Sequence, residues 1–242
     1  MAGIGRCQVS QPVLLDLFCG AGGAAIGYQR AGFEVVGIDV RDQPDYPGRF
    51  YQLDWEEGLE LVARHALDQG DVPFVIHASP PCQGYSPHVT SEGAWDRTKG
   101  RNEARLIAAV RAAISSYGVP YVIENVMGAA PELRANLFLC GAMFGLPISR
   151  HRLFESSAQI EQPFHAPCSG VAARYADAKG WDRRDMTVTG KGRHAGTSDR
   201  WREILGWPAD VPATQHQLRE AIPPAYTELI GRQLMAQIGA EA

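Results

Sequence analysis

The chain has 242 residues and a mass of 26.3 kDa, enough for one full-size hydrophobic core with a small appended lobe. A hydrophobic share of 45% with 21% charged residues suits a folded globular enzyme and excludes a disordered tail. The net charge of −4 excludes a uniformly basic nucleic-acid protein and leaves room for a local basic face.

No apolar run reaches the roughly 18 residues of a membrane helix, and Met1 to Gln11 does not read as a signal peptide, so a cytoplasmic protein with no membrane partner is expected. The five cysteines, Cys7, Cys19, Cys82, Cys140 and Cys168, are odd in number, widely spaced and without a C-x-x-C pair. That spacing offers neither a disulfide framework nor a zinc cluster, so no metal is expected.

In chain order, Val13 to Phe18 reads as a buried strand, followed by a glycine turn and a helix to about Arg30. Val35 to Ile38 is a second strand ending at Asp39. Phe74 to Ile76 and Tyr121 to Ile123 are two more, each running straight into a polar motif. Between them, Leu106, Ile107, Val110 and Ile114 have helical spacing within 101–117. Strands alternating with helices predict a doubly wound α/β sheet, in which chemistry collects at the carboxyl ends of the strands. After Phe154 the apolar periodicity fades, which predicts a small irregular lobe over 155–202. Its stretch 183–202 carries +4, from Arg183, Arg184, Lys191, Arg193, Arg200 and Arg202 against Asp185 and Asp199. A solvated loop is the plain reading of such a run. Pro223 to Ile238 reads as a last helix opened by a Pro-Pro turn.

Four groups of residues carry chemistry. Asp16-Leu17-Phe18-Cys19-Gly20-Ala21-Gly22-Gly23 lies where the first strand turns into the first helix. Its glycines permit close backbone approach to a ligand, and Asp39 stands where an acid can bind ribose hydroxyls. Taken alone, this serves nicotinamide, flavin and S-adenosylmethionine enzymes equally. Cys82 sits in the rigid turn Ser79-Pro80-Pro81-Cys82-Gln83 after a strand, well placed to be a nucleophile. Glu124, in Glu124-Asn125-Val126, puts a carboxylate at a strand end, where burial without a task is costly. Arg150-His151-Arg152 precedes the apolar pair Leu153-Phe154. For the other four cysteines, a small buried thiol is an adequate reading.

In this order the motifs resemble those of the DNA cytosine-5 methyltransferases, over nearly the whole chain. The resemblance implies a Rossmann-like methyltransferase sheet. Residues 1–154 would form the S-adenosylmethionine-binding catalytic domain, 155–202 a small target-recognition region, and 203–242 a C-terminal segment packing back on that domain. It implies S-adenosylmethionine contacts from Phe18, Gly20, Ala21, Gly22, Gly23, Asp39, Val40, Asp54 and Pro80, with Glu220 and Ile222 from the last motif, Ala221-Ile222-Pro223-Pro224. Asp54 corresponds to the acid that accepts a hydrogen bond from the adenine amino group. Cys82 corresponds to the nucleophile, Glu124 to the group that protonates the cytosine ring, and Arg150 and Arg152 to the arginines that hold it. A duplex hides the target carbon, so the base must be flipped out. Gln83, Ser86, Arg97, Lys99 and Arg101 would then close over DNA, with Arg183, Arg184, Lys191 and Arg193 as further contacts.

Three departures from the family pattern stand out. Ile148 occupies the position of a glutamine two residues before the paired arginines. Arg219-Glu220 replaces a Gly-Asn pair before the last motif. The 155–202 segment is also short, which predicts a short or relaxed recognition sequence. The same thiol and glutamate signatures occur in a tRNA-modifying branch, so RNA is the rival substrate. A degenerate methyltransferase fold that holds nucleic acid without turnover is the rival from another class. An oxidoreductase would leave Cys82, Glu124 and the arginines unexplained.

Overall fold

The computed structural model describes residues 11–68, 72–85, 105–181 and 197–239. Seven strands form one sheet: β1 (Val13–Leu17), β2 (Glu34–Asp39), β3 (Arg49–Gln52), β4 (Phe74–Ala78), β5 (Tyr121–Asn125), β6 (Leu137–Leu139) and β7 (Arg152–Ser156). Their order is β3-β2-β1-β4-β5-β7-β6. From β3 to β5 all neighbours are parallel, whereas β7 runs antiparallel to both β5 and β6. The order reverses between β1 and β4, the place where doubly wound sheets bind ligands.

The inner strands β1 and β4 are apolar because helices cover both faces. Alternation along β1 sends Leu15 and Leu17 to one face and Leu14 to the other. The first face packs against α2 (Trp55–Asp68) and α3 (Ile107–Ser115) through Leu59, Val62, Ile107, Val110 and Ile114. The second packs against α1 (Gly23–Ala31) and α7 (Pro224–Ile238) through Tyr28, Tyr226, Ile230 and Leu234. Helices α1 and α7 approach closely because small residues line the seam. A Cβ on Gly27 would meet the Pro224 carbonyl at 2.1 Å, and one on Gly231 would meet Ala31 Cβ at 2.7 Å. Thr227 Oγ1 adds a hydrogen bond to the Ala24 carbonyl at 2.9 Å.

A third apolar cluster joins the small lobe to α1. Trp201, Ile204 and Leu205 of α5 (Ser198–Leu205), Ala176 of α4 (Val171–Lys179), Leu218 of α6 (Gln215–Glu220) and Trp207 gather around Ile26. The region read from sequence as irregular therefore contains α4 and most of α5. Its apolar pattern escaped notice because Ala176 is the buried residue of α4, and alanine carries little hydrophobic signal. The boundary drawn at 154/155 falls inside β7, and the one at 202/203 inside α5. No helix among the described residues is long and apolar enough to cross a membrane.

Candidate active site

The glycine turn begins where β1 ends. Phe18 takes φ of 59°, a conformation rare for a bulky side chain, and Gly20 and Gly22 follow at 49° and 85°. A side chain at Gly22 would in addition run into Pro47, 2.4 Å from its Cβ position, so glycine is required there on two counts. Gly23 opens α1 with the Ile222 carbonyl packed against it, 2.5 Å from where a Cβ would stand. The last motif thus touches the first through Ile222, while Glu220 faces solvent near His216, at 3.6 Å.

Asp39 closes β2 and organises the turn. Its Oδ2 accepts the Gly20 N–H at 3.0 Å and its Oδ1 the Arg41 N–H at 2.9 Å. Val40 next to it is 67% exposed. Asp54 caps α2, with its Oδ1 accepting the Glu56 N–H at 2.9 Å. Asp16 is fully buried beneath the turn: Tyr46 donates to its Oδ2 at 3.1 Å, and Oδ1 has no partner. Burial pushes its carboxyl up to about 7, Tyr46 opposes the rise, and the nearby Asp39 adds to it. Ala21 is half-buried beside the third apolar cluster.

Three neighbouring strands deliver the candidate catalytic groups to one end of the sheet. Cys82 lies four residues beyond β4, half-buried, at the start of a 3₁₀ turn over Gln83–Tyr85. Pro80 is buried before it, and Asn125 Nδ2 donates to the Pro80 carbonyl at 2.9 Å, tying the thiol loop to β5. Gly128 lets the following turn approach, since a Cβ there would sit 2.0 Å from the Tyr85 carbonyl oxygen. Gln83 holds a buried Oε1 with no partner among the described residues.

Glu124 is buried at the end of β5, facing Arg152 from the start of β7. Arg152 Nε is 2.8 Å from Glu124 Oε1, yet that oxygen has no aligned hydrogen-bond donor. The contact is a charge pair more than a directed bond. Burial raises the Glu124 pKa; Arg152, Arg150 and a hydrogen bond from Ser79 oppose the rise without cancelling it. Arg150 is buried, donates to the Arg219 carbonyl at 2.5 Å, and its backbone carbonyl accepts from Tyr226 of α7. Burial and then the Arg152 charge lower its pKa to about 9, so it stays cationic at neutral pH, helped by Glu124, Tyr226 and Cys82.

Several residues at this site were not singled out from sequence. His77 bonds Tyr28 Oη through Nδ1 at 3.0 Å and Ser79 Oγ through Nε2 at 3.0 Å, which links α1 to the residue that follows β4. Burial lowers the His77 pKa to about 3, which keeps the ring neutral. In sequence it reads as one more position of a buried strand. Arg111 and Glu155 form a buried two-point ion pair at 2.6 Å that braces β7 from α3. Ile148, in place of the family's glutamine, packs against the third apolar cluster. Its neighbour across the loop is Gly141, where a Cβ would meet the Ile148 carbonyl at 2.3 Å.

The expectation of no metal rested on linear spacing, whereas the fold brings together residues that are far apart in the chain. Cys140, His151, His165 and Cys168 place one ligand atom each within 4.8 Å of one another. Two of the cysteines read as isolated buried thiols are therefore neighbours. Ser86, Arg97, Lys99, Arg101, Arg183, Arg184, Lys191 and Arg193 lie outside the described residues.

Comparison with known proteins accounts for this arrangement. Residues 13–139, just over half of the chain, match the family model of the C-5 cytosine-specific DNA methylases. The chain is 28% identical to the type II methyltransferase M.AplI of Arthrospira platensis over 161 residues, covering 60% of this chain and 45% of that one. It is 24% identical to the type II methyltransferase M.FnuDI of Fusobacterium nucleatum over 258 residues, covering 91% of this chain and 71% of that one. It thus spans less than half of the first relative's length. In fold it is similar to the Entamoeba histolytica methyltransferase EhMeth, with a TM-score of 0.57 at 13% identity over 95% of this chain and 99% of that one. The match to the family model over more than half of its length places the chain in the C-5 cytosine-specific DNA methylase family.

Proposed function

We propose that the protein transfers a methyl group from S-adenosylmethionine to C5 of a flipped-out cytosine in DNA, with Cys82 as the nucleophile. The observation that carries this reading is the buried Glu124, raised in pKa and paired with Arg152, on the strand next to the one that leads to Cys82. The glycine turn fits the donor. Asp39 retains lone pairs for ribose hydroxyls, exposed Val40 and Phe18 offer apolar faces to an adenine, and no atom lies within 4 Å of the Cβ position at Gly20. Bound there, S-adenosylmethionine supplies an electrophilic methyl group.

The chain's own groups prepare the acceptor. The Cys82 thiolate adds to C6 of cytosine, and the displaced electron pair makes C5 nucleophilic. Glu124, whose carboxyl burial holds above its ordinary range, delivers a proton to N3. Arg152 is fixed by Glu124 and by its own Nη1 bond to the His151 carbonyl at 2.9 Å, and it meets the charge developing on the ring at O2. Once C5 carries the methyl group, loss of its proton and β-elimination restore the thiolate. Gln83, Ser86, Arg97, Lys99 and Arg101 serve as the loop that closes on the DNA, and Arg183, Arg184, Lys191 and Arg193 as backbone contacts. The short 155–202 segment supports a short or relaxed recognition sequence.

Mass spectrometry of nucleosides after incubation with S-adenosylmethionine and unmethylated DNA, with RNA in parallel, tests the reading. New 5-methylcytosine in DNA, lost in Cys82→Ala with donor binding retained, is the expected result. Product confined to RNA, or turnover surviving in Cys82→Ala, would overturn it.

A further inference from the structure

We propose that Cys140, His151, His165 and Cys168 form a structural zinc site that fastens the small lobe to the catalytic strand carrying Arg152. The four residues come from three places. In the β6–β7 hairpin, Leu139 pairs with Arg152, so the next residues outward, Cys140 and His151, stand opposite each other. His165 and Cys168 arrive on the segment that leaves β7 and leads into α4, spaced like a short metal-binding knuckle.

The geometry is close to that of a bound ion. Tetrahedral zinc, with Zn–S of ~2.3 Å and Zn–N of ~2.0 Å, sets its ligand atoms roughly 3.3–3.8 Å apart. His151 Nε2 and Cys168 Sγ are already 3.3 Å apart, and all four ligand atoms fall within 4.8 Å. The site needs a contraction of about 1 Å and no change of fold.

A further observation points to a ligand. His165 Nε2 is buried and has no hydrogen-bond partner among the described residues, an expensive state for an imidazole unless something binds the ring. Phe138 packs on both imidazoles, with ring centroids 5.1 Å from His151 and 5.2 Å from His165, and shields that side from water.

Two thiolates and two neutral imidazoles suit zinc among the divalent ions, and four protein ligands leave no open position for catalysis. The role follows from His151 standing between Arg150 and Arg152. Holding its ring fixes the backbone from which the two arginines reach Glu124 and Arg219. It also clips 165–168 to the sheet, where the lobe is short and has little core of its own.

Purified full-length protein, kept reduced and supplied with zinc, should retain about one equivalent per chain by elemental analysis after desalting. Replacement with cobalt should produce the intense thiolate-to-metal absorption of a tetrahedral two-sulfur site. His165→Ala and Cys168→Ala should each weaken zinc binding by roughly 100-fold or more, and Cys82→Ala should leave it intact. A strong chelator should lower the melting temperature of the wild type and not of Cys168→Ala. Failure of the reduced wild type to hold zinc or cobalt, or zinc affinity retained at the wild-type level in both ligand variants, would overturn the proposal. So would a Cys140–Cys168 disulfide in non-reducing peptide maps of metal-free protein that melts no lower than zinc-treated protein. Should either variant fail to fold, the cobalt spectrum of the wild type decides.

Discussion

Replacing Glu124 by Gln should impair catalysis and leave the fold at least as stable, two effects of opposite sign. The carboxyl is 6% exposed, and its net pKa lies above the usual 4.5 because burial outweighs Arg152 at 2.8 Å, Arg150 and Ser79. A raised folded-state pKa means that the ionised group opposes folding at neutral pH. A neutral amide of the same shape escapes that penalty, so the variant should be at least as stable as the parent at pH 7. The difference should shrink as pH falls and vanish below the unfolded carboxyl range, where both side chains are uncharged. Catalysis should move the other way, because glutamine cannot hand a proton to N3. Loss of a positioned acid lowers the chemical step by about 10²–10⁴-fold, roughly 3–5 kcal/mol of barrier. Urea titrations across pH and single-turnover methyl transfer measure the two halves separately. A variant clearly less stable than the parent at pH 7 would show that the ion pair prevails over burial, and an activity loss below tenfold would remove Glu124 as the acid.

Three further outcomes follow from the same geometry. Glu155→Gln strands Arg111 in a buried site and should cost about 3–5 kcal/mol in urea melts. Burial alone would raise the Glu155 pKa, but Arg111 and the Arg134 N–H hold it below the usual range, so this contribution is full at neutral pH and is lost as pH falls through the lowered value. Trp201→Ala should destabilise the protein by about 3–5 kcal/mol, with proteolysis appearing first in the 155–202 segment, because Trp201 is the more deeply buried of the two tryptophans in the third cluster. Gly128→Ala forces a Cβ onto the Tyr85 carbonyl and displaces the turn after Cys82. Methyl transfer should fall by roughly tenfold or more with donor affinity unchanged, measured by single turnover and calorimetry.

The parts legible in the sequence were those whose physical signal is local. β1, β2, β4 and β5 are runs of buried apolar residues in the protected half of a parallel sheet, and the glycine turn, Asp39, Cys82 and Glu124 lie at or just beyond their ends. What escaped depends on pairing. β6 has three residues and β3 four, too short for any periodicity, and β7 showed only Leu153-Phe154. The register of β6 on β7 makes neighbours of Cys140 and His151, which have ten residues between them, with no trace in linear spacing. His77 looks like any strand residue until Tyr28 and Ser79 are found on its two nitrogens. Ile148 was visible as a departure, but its physical sense lay in the third cluster, which draws residues from α1, α4, α5 and α6.

The arrangement at β7 explains how a short lobe and a catalytic centre can share one strand. Arg150 and Arg152 lie on either side of His151, and successive side chains at a strand start point to opposite faces, so the arginines and the histidine serve different neighbours. On the arginine side, Arg152 meets Glu124, while Arg150 is held by the Arg219 carbonyl and, through its own carbonyl, by Tyr226 of the helix that packs on α1. On the histidine side, His151 meets Cys168 at the entry to α4. A displacement of the lobe therefore reaches the arginines through one residue of backbone, with Tyr226 resisting it from the cofactor side. A shift of the lobe can in this way be felt at Glu124 without a long relay, provided the histidine side is held as firmly as the arginine side. The Phe138 packing and the four-ligand cluster are the features of the structure that can supply that hold.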